Sequence, residues 1–267
     1  EIKDILQDVE VIDYSGSVFK INSEELEMEY APRFADLATD PESVLNDLVA
    51  AIDRYAADWE GDISRLRSER KADEANASER DRRRFLAEKD NIREGIALLT
   101  SKPKLMQCFR WMNCCLRDAV TRQGKTFDQW RLFQLGFILT QIRAVYERCC
   151  DNSDLSTDHL DHAEVLWFAT GGGKTEAYLG LLVMGMLYER MHDKAYGATG
   201  WMRFPLRMLS VQQFQRLAYV VAQANIVRQR EALGGHPFTI GYFTGGGTPN
   251  TITFRDDEYF LPKLSSE

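Results

Sequence analysis

The stretch Glu164-Val-Leu-Trp-Phe-Ala-Thr-Gly-Gly-Gly-Lys-Thr-Glu-Ala-Tyr-Leu-Gly180 constrains this chain more than any other. Val165 to Phe168 form a short apolar run suited to a strand buried on both faces. From Thr175 onward apolar residues recur at helical spacing, at Leu179, Leu182, Val183, Met186 and Leu187. Three glycines and Lys174 lie between the two segments. Glycines turn the chain tightly and let backbone N–H groups close around phosphate oxygens, and the helix behind them presents its positive dipole end. In that arrangement Lys174 reaches the β- and γ-phosphates and the Thr175 hydroxyl holds Mg²⁺. The pattern predicts a nucleoside triphosphate site. A second Gly-Lys-Thr, at Gly124-Lys125-Thr126, follows Arg122-Gln123 with no apolar strand before it and reads as a linker.

The N-terminal half reads as mainly helical. A short extended piece is expected at Val18 to Ile21. Asp40 can cap a helix that opens on Pro41 and Glu42, with Leu45, Leu48, Val49, Ile52, Tyr55 and Trp59 along one face. From Asp62 to Asn91 charges of both signs alternate, including Arg82-Arg83-Arg84. The interspersed acids favour a solvated helical face or hairpin over a DNA-binding arm. Phe85, Ile92, Ile96 and Leu99 restore a helical stripe. After a break at Ser101-Lys102-Pro103 a further helix carries Leu105, Phe109, Met112 and Leu116.

The net charge of -8, from 41 acidic and 33 basic residues, excludes a molecule that binds nucleic acid by its overall field. Any nucleic-acid path has to be local, and the run from Trp201 to Arg230 supplies one, with arginines at 203, 207, 216, 228 and 230 and no acid. No apolar run is long enough to span a membrane and no signal peptide opens the chain, so no membrane partner and a cytoplasmic location are expected. The five cysteines lack Cys-x-x-Cys spacing and read as reduced, partly buried thiols. His159-x-x-His162 has no partner ligands for a metal, and Asp151 to Asp154 lacks the glycine and terminal Glu of a calcium loop.

Past the glycine stretch, Gly200 to Phe204 and Phe238 to Phe243 are strand candidates, separated by a helix with Leu209, Phe214, Leu217, Tyr219, Val220 and Val221. Strands alternating with helices predict right-handed βαβ units in a parallel sheet, with the ligand at the carboxyl ends of the strands.

Several segments resemble superfamily 2 helicases. Ala169-Thr-Gly-Gly-Gly-Lys-Thr175 is similar to motif I of that superfamily; the general phosphate-loop pattern would place a glycine where Phe168 stands. Pro205-Leu-Arg-Met-Leu-Ser-Val-Gln-Gln213 resembles motif Ia, where a helix N-terminus with Arg and hydroxyl or amide side chains holds a nucleic-acid backbone without reading bases. Phe133-Gln134 resembles the aromatic-Gln pair that contacts adenine, with Arg131 assisting, and Thr244-Gly-Gly-Gly247 resembles the Gly-Gly element after motif Ia. With Trp130 to Leu135 and Thr248-Pro-Asn250 added, residues 104–255 resemble the large helicase of DISARM-type bacterial antiphage defence systems.

The resemblance implies an α/β fold, a partial RecA-like P-loop parallel sheet over residues 127–267, preceded by a mainly helical accessory region over 1–126. It implies ATP and Mg²⁺ as cofactors. Nucleotide contacts would fall on Arg131, Gln134, Thr170, Gly171, Gly172, Gly173, Lys174, Thr175 and Glu176, with Lys174 and Thr175 the catalytic pair. Nucleic-acid contacts, to DNA, would fall on Arg207, Ser210, Gln212, Gln213, Gly245 and Gly246. A partner subunit of the defence complex is also implied. Hydrolysis further needs an Asp-Glu pair and an arginine finger from a second RecA-like domain. Asp256-Asp257-Glu258 follows an alternating stretch ending in Arg255 and reads as a charged loop, so the chain is expected to be the front end of a longer motor. Two other readings stand beside it: a P-loop phosphotransferase or GTPase indifferent to nucleic acid, and a non-catalytic scaffold in which the helical region before Thr126 matters most.

Overall fold

The computed structural model describes residues 10–12, 18–20, 31–149, 173–194, 196–204 and 207–242. Strands β1 (Glu10–Ile12) and β2 (Val18–Lys20) pair antiparallel, with Val11 opposite Phe19. Helices follow: α1 (Phe34–Thr39), α2 (Pro41–Ser68), α3 (Ala72–Ser101), α4 (Pro103–Arg122), α5 (Leu132–Thr140), α6 (Ile142–Glu147), α7 (Lys174–Met191) and α8 (Arg207–Arg230).

Helix α4 is the centre. Its N-terminus is set by Pro103, which supplies no N–H where a helix needs none. A broad face carrying Leu105, Phe109, Met112, Cys115, Leu116 and Ala119 is buried, while Lys104, Arg117 and Thr121 on the other side stay exposed. Helices α1, α3, α7 and α8 pack directly on it. One hydrophobic core runs from Phe34 and Leu45 through α4 to Val183 on α7 and Val220 on α8. Gly124-Lys125-Thr126 proves to be the end of α4: Gly124 takes φ +67°, and the Lys125 and Gly124 N–H groups donate to Val120 and Thr121 carbonyls at 3.1 and 3.0 Å. This is a glycine-closed helix C-terminus.

Helices α2 and α3 form a long antiparallel hairpin. Asp40 caps α2, its carboxylate accepting from the Ser43 N–H at 3.3 Å, as its place before Pro41 predicts. The base of the hairpin adds Leu45, Leu48, Ile96 and Leu99 to the core. Further out, Tyr55, Trp59 and Phe85 pack with centroids 5.3–5.6 Å apart, Tyr55 edge to face with both of the others. Towards the tip, cross-helix ion pairs such as Arg82–Glu60 and Arg67–Glu79 take over. The mixed-charge run is thus a solvated helical hairpin.

The α/β expectation is corrected. Among the described residues no parallel strand pair exists, and α7 and α8 pack on other helices and on irregular segments. Gly200 to Phe204 is irregular, and Trp201 stands 79% exposed. Phe238 to Tyr242 is irregular too. The Asn225 side-chain amide donates to the Phe238 carbonyl at 2.9 Å and accepts from its N–H at 2.8 Å, so it occupies the backbone groups a neighbouring strand would use. Val165 to Phe168 lie outside the described residues, so the RecA-like sheet finds no support in this structure.

Candidate functional site

The site is built at the N-terminus of α7. Gly173 caps the helix with φ +87°, a left-handed conformation that costs other residues strain. A Cβ there would also come within 2.9 Å of the Gln134 side-chain nitrogen. Lys174 and Thr175 open the helix and are partly exposed.

Gln134 holds the glycine in place. It sits at the third position of α5, where a glutamine can reach back to the helix start. Its carbonyl oxygen accepts from the Arg131 N–H at 2.8 Å, and its amide nitrogen donates to the Gly173 carbonyl at 2.6 Å. Only 4% of the residue is exposed. Both ends of the amide expected at adenine are directed to the protein's own backbone.

Glu176 is the hub of the cluster. It lies in the first turn of α7, where the helix dipole favours a carboxylate, and is 7% exposed. One of its oxygens pairs with Arg216 of α8 and, at 3.7 Å, with Lys125 from the end of α4. Its other oxygen is buried without a hydrogen-bond partner and is 3.6 Å from where a Gly173 Cβ would stand. Arg216 also donates to the Gln213 side-chain carbonyl at 3.3 Å. Burial pushes the Lys125 amine below its ordinary range; the adjacent Arg216 adds to this, and Glu176 opposes it.

The strand-contact residues fare differently. Gln213 is buried against the Glu176 cluster, Ser210 bonds the Tyr242 hydroxyl at 2.9 Å, and Gln212 faces solvent. Arg207 starts α8. The arginines of 201–230 do not line one face: Arg216 turns inward, Arg228 donates to the Gly235 carbonyl at 3.1 Å, and Arg230 pairs with Glu231. Thr170, Gly171, Gly172, Gly245 and Gly246 lie outside the described residues, as do His159, His162, Asp151 to Asp154 and Asp256 to Glu258. No metal-ligating cluster and no membrane-crossing helix occur among the described residues.

Sequence reasoning missed Lys125, Arg216 and the role of Glu176 as their common partner. A faint signal existed, since the acid-free run 201–230 had to find any carboxylate partner elsewhere in the chain. Its position could not be read from spacing.

These features define a helical protein in which a glycine-capped Lys-Thr helix is clasped by a buried glutamine and tied to a second helix through a buried ion pair. No family model matches the chain. It is similar to the DISARM protein DrmA of Bacillus paralicheniformis (strain ATCC 9945a / NCIMB 11709 / CD-2), 32% identical over 201 residues. The match covers 64% of this chain and 17% of that relative, so the chain spans only a small part of the relative's length.

Proposed function

We propose that this chain contributes the nucleotide-binding part of an ATP-driven DNA translocase acting with a partner subunit in DISARM-type antiphage defence. The similarity to DrmA supports the defence setting. The observation that carries the nucleotide reading is the α7 N-terminus, where a left-handed glycine precedes Lys174 and Thr175 and leaves no room for a side chain. The donor set suits a polyphosphate: an ammonium, a hydroxyl and the N–H groups of a first helical turn. Lys174 would hold the phosphates and Thr175 the Mg²⁺ that neutralises them. Bound ATP would supply the driving free energy through phosphoryl transfer. Gln134 keeps the loop end fixed, and Arg207 and Gln212 at the start of α8 are the residues suited to a DNA backbone.

The test is ATP turnover by the full-length protein, with and without single-stranded and duplex DNA, in wild type and in Lys174→Ala. DNA-stimulated turnover that Lys174→Ala abolishes is the expected result. Turnover indifferent to nucleic acid would move the assignment to a phosphotransferase or GTPase. Activity that survives Lys174→Ala would remove the site from α7.

A further inference from the structure

We propose that Lys125, from the second Gly-Lys-Thr of the chain, is a phosphate contact of the nucleotide at the N-terminus of α7. The inference rests on the nucleotide reading of that site and extends it to a residue whose local sequence marks only a linker.

The first ground is placement. Gly124 closes α4 in a left-handed conformation and releases the next residue toward α7, so the Lys125 ammonium arrives 3.7 Å from Glu176, within the first turn behind Gly173. That distance makes a loose ion pair rather than a tight hydrogen bond. The second ground is charge balance. The Glu176 oxygen facing Lys125 is already taken by Arg216, so two cations share one carboxylate in a corner largely closed to water. Two positive charges around one negative leave a net positive field at a helix N-terminus that is itself positive. A polyphosphate would balance it.

The third ground is the second oxygen of Glu176. It is buried, without a partner, and directed at Gly173, the glycine whose conformation opens the site. A buried carboxylate oxygen left this way calls for a donor, such as the hydration shell of a bound Mg²⁺. The depressed basicity of Lys125 agrees: burial and Arg216 together outweigh what Glu176 offers, which is the condition an incoming anion relieves. About one third of the Lys125 side chain remains accessible, so the amine is not locked into the core.

The experiment measures binding of a non-hydrolysable Mg·ATP analogue to the full-length protein by titration calorimetry, in wild type, Lys125→Ala, Lys125→Arg and Lys174→Ala, with thermal midpoints recorded for each. Losing one charge-assisted contact should weaken binding about tenfold in Lys125→Ala. Lys125→Arg should restore most of it, and the thermal midpoint should stay close to wild type. Unchanged affinity in Lys125→Ala alongside lost affinity in Lys174→Ala overturns the proposal and leaves the nucleotide site standing. Weakening that arrives only with a lowered melting point, and that Arg does not restore, marks a structural lysine and also overturns it. A wild type that binds no triphosphate removes the nucleotide reading itself.

Discussion

The indole N–H of Trp130 donates to the side-chain carbonyl of Asn113 at 2.7 Å, with both residues shut off from solvent. Asn113 in turn donates to the Phe109 carbonyl one turn back on α4 at 2.9 Å, so a polar pair is satisfied inside an apolar core. The Trp130 ring lies over Gly180 of α7, where a Cβ would meet it at 2.9 Å, and edge to face on Phe34 of α1. One indole thereby fixes the distance between α1, α4 and α7.

Replacing Asn113 with Leu removes the acceptor and strands a buried N–H. The expected loss is about 1–3 kcal/mol of unfolding free energy, read from the midpoint of a urea transition at constant slope. A midpoint equal to wild type would mean the indole finds another acceptor and the pair is not needed.

Gly173→Ala should strain the start of α7. The left-handed φ costs an L-residue about 1–2 kcal/mol, and the new methyl meets the Gln134 amide. Adding Gln134→Ala relieves the contact but also removes the two hydrogen bonds of that side chain, so the double variant should lose less than the sum of the two single losses without returning to wild type. Thermal melts of the single and double variants decide this. Full recovery would show that the backbone conformation carries no cost.

Much of the helical frame was legible because its signals are local. Asp40-Pro41 announces a cap, Ser101-Lys102-Pro103 a break, and the spacing of Leu105, Phe109, Met112 and Leu116 a buried stripe; each is decided within a few residues. The sheet was misread where a partner far along the chain decides the outcome. Phe238 has the look of a strand, yet its backbone groups are consumed by Asn225 on a helix. The same limit hid the charge cluster, since Glu176 and Arg216 stand forty positions apart with no periodicity joining them. Gly95 is a third case. It looks like an ordinary weak point in a helix, but a Cβ there would run into the Leu139 carbonyl at 2.0 Å, because α3 and α5 cross on bare backbone.

The hairpin of α2 and α3 should separate aromatic packing from charge pairing. Phe85→Ala removes the ring shared by Tyr55 and Trp59 and is expected to cost about 2–3 kcal/mol. Glu79→Gln breaks an exposed ion pair with Arg67 and should cost less than about 1 kcal/mol, vanishing at high salt. Amide hydrogen exchange along residues 52–88 would register the first as faster opening and the second as little change. Equal effects would mean the charges, not the rings, hold the distal helices together.

The buried thiols lead to a pH prediction whose sign follows from their direction of shift. Cys108, in contact with the Met191 sulfur, and Cys115 are both pushed well above the ordinary thiol value of 9.0, chiefly by burial. An unfolded chain loses these protons first, so their contribution to stability is complete below pH 9 and declines as pH rises beyond it. The slope should be about 1.4 kcal/mol per pH unit for each thiol. Attack on a disulfide reagent requires thiolate, so neither residue should react in the native state at pH 8, whereas the partly exposed Cys114 and Cys149 should. Peptide mapping after timed labelling checks this directly. Cys108 or Cys115 labelled as fast as Cys114 would show that the core around α4 opens far more readily than its packing implies.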